Sequence, residues 1–448
     1  MTVRRVTSSP AHPGDPDRPT PPALYLLLDL PYGAAVGYLE LAVPFWLARA
    51  GVPLAQIAAL SAAAFMTHAL KILWVPLLDL GARRKVWYLT MISATAALLV
   101  ALSVMSDPVH HLGPFAVLLT AAQVTATTGH AALNALIAIT TREREKGKAA
   151  GFYMASNVGG TGVLGALALW LGGHVTQTVA GLVLASVALG TGWCGLAIVE
   201  PRLRRAAQAA GNAPWPLRPH LWASIRYFRT AGHMLAALGR DLWQTVKSRE
   251  GFTGLVICAA PVGCGALTNL FSGLAPHYRA DASFVAVVNG VGGGLVSAVG
   301  ALLGGVLADR MSRRLAYALS GGLTALCAAA MLVSPLTPTT YAWGTLTYSF
   351  ANGIAFATWA GMVLEMVGHT AAVTTKYALF NATANQAISY VTFLDGKIPE
   401  WMGWPEARGA LATDAALTAV GISILAIMVM VTRRPARSPQ LPLARGAG

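Results

Sequence analysis

Ionisable side chains are costly in hydrocarbon, so each one inside a long apolar stretch is a candidate for chemistry. This chain has several. Glu40 lies within GYLELAVPF and Asp29 near the start of the same stretch; His68 and Lys71 stand in the next, and His130 in a later one. A carboxyl in an apolar wall can take up a proton, and its helix can then move without carrying charge across the hydrocarbon. Glu40 is therefore the expected proton carrier, the alternative being an outward-facing contact at its helix end. Histidine titrates near neutrality, which makes His68 and His130 the reserve carriers. His68 and Lys71 are one helical turn apart and share a face. Converging with His130 they would form a cationic patch for an anionic substrate; equally, Lys71 can pair with Asp29 as a structural ion pair. Glu365 and Asp395 fall at the ends of apolar stretches, where interfacial solvation is expected.

A second constellation occurs twice, about 230 residues apart. Asp79 is followed by Arg83 and Arg84 where one apolar stretch ends (WVPLLDLGARRK). Asp309 is followed by Arg310, Arg313 and Arg314 where another ends (GGVLADRMSRR). A carboxylate at a helix end can pair with basic side chains and neighbouring helix dipoles, latching helices together in one conformation. The plainer alternative is that these arginines only set topology. Other positions share or nearly share the register: Pro31 and Gly33 match Pro261 and Gly263, and Lys148, Phe152 and Asn157 match Lys376, Phe380 and Asn385. Asn157 and Asn385 would line a cavity symmetrically or join helices by hydrogen bonds.

The elements that must position these residues follow from composition. The 448 residues are 55% hydrophobic and 11% charged, where a soluble protein carries about 25% charged residues. Apolar stretches of about 20 residues, enough to cross a bilayer core, recur along the chain. Twelve spans are predicted, at residues 24–48, 57–80, 86–105, 114–139, 149–171, 179–199, 252–275, 284–308, 315–333, 340–367, 374–396 and 411–431. They divide into six-helix bundles at 23–199 and 252–432 joined by a 200–251 linker, with tails at 1–22 and 433–448. The expected fold class is an all-α integral membrane protein of two pseudo-symmetric halves. Such a parallel repeat is transporter architecture, with the substrate site where the halves meet.

The net charge of +14 raises the question of nucleic acid, and its distribution answers it. Arg and Lys crowd alternate loops: Arg83, Arg84 and Lys85; Arg142, Arg144, Lys146 and Lys148; Arg202, Arg204 and Arg205; Arg310, Arg313 and Arg314; Arg433, Arg434 and Arg437. The other loops hold Arg49, Arg279, Lys397 and Arg408. The asymmetry places both termini and the linker in the cytoplasm, with the chain in the inner membrane. Residues 1–22 hold six prolines and no apolar run, which reads as a disordered tail and not a signal peptide. Within the linker, Leu221, Ile225, Phe228, Met234, Leu238 and Leu242 alternate with Arg226, Arg229, Arg240 and Lys247, the pattern of a helix lying on the inner lipid surface. Cys194, Cys258, Cys264 and Cys327 lack metal-ligand spacing and read as buried structural thiols.

Twelve spans in two similar halves with a long central loop resemble the major facilitator superfamily. GGVLADRMSRR resembles that superfamily's loop signature of a glycine, an aspartate four residues on and a basic pair, with Ser312 in place of the second glycine. The first copy departs further, Val75 replacing the leading glycine and Leu80 the basic residue after Asp79. More narrowly, KILWVPLLD (71–79) is similar to the second helix of AmpG-type muropeptide permeases. EREKGKAAGFYMASNVGGTGVLGAL (143–167) and TTKYALFNATANQAIS (374–389) resemble the wider group containing acetyl-coenzyme A transporters and siderophore importers. That resemblance implies bulky, often anionic substrates.

The functional expectation is a monomeric secondary transporter moving a sizeable anionic or amphiphilic solute with protons, surrounded by lipid and without cofactor or metal. No G-x-x-x-x-G-K-[ST] phosphate loop occurs to drive an ATP-powered pump. Three other readings stand beside it. A cation exporter would use Glu40 and Asp29 as counter-ions to its substrate; a membrane-bound acyltransferase would use His130; a transport-dead sensor would keep the fold alone.

Overall fold

The computed structural model describes residues 20–75, 78, 83–105, 108–141, 145, 149, 152–153, 155–199, 236, 239–240, 243–367 and 373–432. Asp79, the basic residues Arg142, Arg144, Lys146 and Lys148, the 200–235 stretch of the linker and both chain ends beyond 20 and 432 lie outside them. The described chain is helical wherever it is regular.

Twelve segments run in sequence. In the first half they are α1 (Leu24–Arg49), α2 (Leu54–Leu73), α3 (Arg84–Ser103), α4 (Leu112–Thr140), α5 (155–174) and α6 (Gln177–Ala197). In the second half they are α7 (249–278, interrupted), α8 (Ala282–Arg310), α9 (Arg313–Val333), α10 (Pro338–Val367), α11 (Val373–Met402) and α12 (Glu406–Thr432). Seven are continuous and apolar enough to span a membrane by length and composition alone: α1, α2, α3, α6, α8, α9 and α12. The others are broken, as α7 is, or carry amides and hydroxyls, as α4, α10 and α11 do.

Local sequence sets the ends. Ser248, Asp281 and Thr176 cap α7, α8 and α6 by accepting from the backbone N–H three residues on, which satisfies donors that a helix start leaves free. Pro31 lacks the N–H that would bond to Leu27, and α1 is offset at Asp29 in consequence. The matching Pro261–Gly263 interrupts α7 completely, between Ala259 and Ala266. Each half thus begins with a proline-disturbed helix.

The halves meet unevenly. α11 packs along α2, α8 against α5, and α7 against α1. One apolar cluster draws on both halves: Phe45, Leu54, Ala58 and Leu169 interlock with Leu270, Phe271, Leu274, Tyr278 and Val285. All these lie toward the end opposite the basic loops. Toward the basic end the clusters separate. Tyr25, Leu28, Tyr88, Ile92 and Leu133 form one within the first half; Ile257, Val262, Tyr317, Trp359 and Phe380 form another within the second. Among the described residues, the halves are sealed at one end and parted at the other. Gly162 and Gly290 allow a close crossing, α5 on α8, because a Cβ on Gly162 would collide with the Gly290 carbonyl.

Candidate functional site

A cavity of about 320 Å³ lies between the halves. Part of its polar lining comes from irregular turns. Glu40 sits in a π-helical turn of α1 (Tyr38–Ala42), Asn157 in one of α5 (Ala155–Gly160) and Asn289 in one of α8 (Ala286–Gly292). Inserting a residue into a helix re-aims neighbouring side chains, and such turns gather at functional sites. Asn269, from the short helical turn after the α7 break, and Asn352 of α10 complete a ring of four amides. The Asn289 Nδ2 is buried without a hydrogen-bond partner in the protein and can donate inward. Glu40 is the sole carboxyl in the lining, which includes no Lys or Arg among the described residues. Its backbone carbonyl accepts from Ser272 Oγ across the halves at 2.7 Å.

Beside the cavity, within the first half, a polar network converges. His130 Nδ1 lies 2.8 Å from Asp29 Oδ1, and Tyr153 Oη lies 2.6 Å from His130 Nε2. Asn157 Nδ2 donates to Asp29 Oδ2 at 3.3 Å. Tyr32 stacks on His130, ring centres 4.1 Å apart, and its hydroxyl lies 3.3 Å from His68 Nδ1. Phe65 stacks on His68 from the other side at 4.4 Å. Four helices, α1, α2, α4 and α5, are tied together here. Pro31 is what turns Asp29 inward, since the carboxyl occurs at the offset that it causes.

The structure therefore brings Asp29, His68, His130 and Asn157 into one network and puts Glu40 on the cavity wall. Lys71, in the last turn of α2, is close enough to act electrostatically on His68. Asp29, however, bonds to His130 and Asn157, and among the described residues no ion pair joins it to Lys71. A free cationic patch does not result, because the Asp29 carboxyl sits against His130. Asn385 lines a smaller pocket in the second half, with Asn352, Trp359 and Asn381, and donates to the Asn381 carbonyl of its own helix. The two asparagines of the repeat thus serve different cavities.

Of the latch residues, Asp79 lies outside the described residues, while Arg83 precedes and Arg84 begins α3. Asp309 makes no ion pair among the described residues, and Arg313 instead lies 3.6 Å from Glu365 of α10. Arg310 ends α8 and Arg314 is in the first turn of α9. Two expectations need correction. Asp395 is not solvated at a boundary: α11 continues to Met402, and the carboxyl is fully buried. Cys264 is not enclosed in a core, since it lines the cavity at the α7 break. The reading of intramembrane amides and carboxyls as functional passed over Asn269, Asn289, Asn352 and Asp414; the polarity that marks Asn157 marks each of them.

The sequence matches the family model described as Major Facilitator Superfamily over residues 28–390. The chain belongs to that superfamily. It is accordingly a multi-pass membrane protein and a secondary transporter, not an enzyme. Solved structures agree on the fold. A crystal structure of a POT family transporter in complex with a thioalcohol-conjugated peptide superposes with TM-score 0.61 at 10% identity, covering 92% of this chain and 96% of that one. A D-xylose–proton symporter superposes with TM-score 0.64 at 11% identity, covering 91% and 95%. No curated protein matches the sequence. Transporters built from parallel repeats bind substrate where the halves meet, the position this cavity occupies.

Proposed function

We propose that this transporter moves a sizeable amphiphilic solute bearing hydroxyl and amide groups, of the muropeptide kind, in symport with protons. The lining carries the reading: four asparagine amides, one carboxyl and the hydroxyls of Tyr32, Thr161, Thr268, Ser297 and Ser349. Such a wall hydrogen-bonds a sugar or peptide and, among the described residues, has no Lys or Arg to hold a highly charged anion such as an acyl-coenzyme A. The resemblance of residues 71–79 to AmpG-type permeases points the same way, although none of the comparisons reaches that subgroup.

Glu40 is the proton carrier in this reading. It faces the cavity, it lies beside the seam between the halves, and neutralising it removes the one formal charge from the wall. His130, clasped by Asp29 and Tyr153, positions the first half's polar network, with His68 joined to it through Tyr32. Asn157 shapes the first half's side of the site, backed by Asp29, His68 and Lys71 behind the wall, and Asn385 lines the smaller pocket of the second half. Gating falls to the basic end: Asp79 with Arg83 and Arg84, and Asp309 with Arg310, Arg313 and Arg314, close it when the opposite end opens. The Arg313–Glu365 pair is the form taken with that end parted. With the basic loops in the cytoplasm of an inner membrane, the present conformation faces inward.

Proteoliposomes test this directly. An imposed inward-acid gradient should drive accumulation of muropeptide, and Glu40→Gln should abolish accumulation while sparing downhill exchange. Accumulation by Glu40→Gln with unchanged pH dependence would exclude Glu40 as the carrier. Failure of wild type to take up muropeptide, with an untargeted metabolite comparison naming another solute, would replace the substrate.

A further inference from the structure

We propose that Asp395 and Asp414, beside the broken stretch of α7, form a binding site for one monovalent cation, a proton or a sodium ion, apart from Glu40. It rests on the chain being a secondary transporter and not on the role of Glu40.

Asp395 of α11 and Asp414 of α12 are 0% and 1% exposed. Tyr348 of α10 donates its hydroxyl to Asp414, at 3.1 Å from Oδ2 and 3.3 Å from Oδ1. Both oxygens of Asp395 are buried with no hydrogen-bond partner in the protein. The two carboxyls are near enough to act electrostatically on each other, and Cys264 and Tyr348 each feel both. These are the titratable groups facing Asp395 from α7, α10 and α12. From α2, Leu54, Ala55 and Ala58 press on this turn of α11, at Gly396.

The backbone supplies the rest. α7 stops at Ala259 and resumes at Ala266, with Gly265 at φ 76°, a conformation that favours glycine. The resumed turn, Ala266–Asn269, packs on α11 and α12. Thr392, one turn before Asp395, accepts from Asn269 Nδ2 at 3.0 Å and donates to the Ala266 carbonyl at 3.4 Å. Carbonyls of unwound helix are the oxygen donors by which transporters of other folds hold coupling ions. Cys264 in the break also lines the central cavity, so the pair stands one residue behind the substrate wall.

Two carboxylates sharing a dry site cannot both stay ionised unless a cation offsets one of them. Tyr348 supports the charge on Asp414. Asp395, without a donor, takes the proton or faces the sodium ion. Cation arrival would draw α11 and α12 onto the α7 break, whose resumed turn holds the cavity-lining Asn269, and so connect ion to substrate.

The purified full-length protein in detergent micelles tests the site without knowledge of the substrate. Melting is followed in NaCl against choline chloride, and the infrared absorption of protonated buried carboxyl groups is recorded in parallel. A sodium site raises Tm in NaCl alone; a proton site gives a protonated-carboxyl band without a sodium response. Either signal should persist in Glu40→Gln, which removes any Glu40 band, and vanish when Asp395→Asn is added to it. Tyr348→Phe leaves both carboxyls in place, so it serves if Asp395→Asn does not fold. Loss of its charge-assisted bond should weaken the sodium response about tenfold, or shift the band. The absence of both signals from wild type overturns the proposal, as does their survival in the Glu40→Gln, Asp395→Asn double variant or, where only Tyr348→Phe folds, an unchanged response there. A band lost in Glu40→Gln and kept in Asp395→Asn leaves the Glu40 reading standing and removes this one.

Discussion

Replacing His130 by alanine tests whether the buried network holds α1, α4 and α5 together. The Asp29 side chain is 0% exposed and that of His130 is 10% exposed, with 2.8 Å between Nδ1 and Oδ1. Two losses add. The hydrogen bond to a carboxylate is removed, about 1.5–3 kcal/mol, and the Tyr153 hydroxyl loses its 2.6 Å partner, about 1–3 kcal/mol. The sum, roughly 2.5–6 kcal/mol, brackets the 3–5 kcal/mol or so that breaking a buried pair from one side removes. It corresponds to about a hundredfold or larger change in the folding equilibrium, at about 1.4 kcal/mol per factor of ten. Reversible unfolding in mixed micelles, followed by tryptophan fluorescence, measures it. Asp29→Asn removes the buried charge that His130 serves, so the double variant should be more stable than the sum of the singles by about 1–2 kcal/mol. A His130→Ala loss below about 1 kcal/mol, with additive singles, would show that the pair does not join these helices.

Two further outcomes concern the sealed end. Glu406 of α12 accepts the Leu54 N–H at 3.1 Å, at the start of α2, and lies 3.5 Å from His277. Glu406→Gln should loosen this clasp by about 1 kcal/mol, since the pair is partly exposed, and raise labelling of a cysteine at Ala48 about fivefold; unchanged labelling would leave the apolar cluster as the only seal. Gly162→Leu should block the α5–α8 crossing against Gly290 and stop transport with the protein still in the membrane, and normal flux would show that the crossing is not needed.

What the sequence by itself determined is the membrane architecture and which residues are out of place in it. Hydropathy needs only length and composition, because the bilayer fixes how long an apolar helix must be. The repeat of Asp79 and Asp309 marked the two halves, and solvation cost singled out Glu40, Asp29, His68 and His130. Tertiary structure decided who meets whom. Asp29 could have paired with Lys71 or His130, since spacing along one helix carries no information about rotation and tilt against another. Apolar character stops near Gly396, as if Asp395 ended a span, yet α11 continues for almost two turns, and packing on α2 and α12 buries the carboxyl. The π-helical turns that carry Glu40, Asn157 and Asn289 into one cavity leave no local signature, since a register shift of one residue depends on packing across helices. The central cavity itself arises from an uneven meeting of two halves. No pattern within either half encodes that meeting, because the apolar faces that seal one end come from segments more than a hundred residues apart.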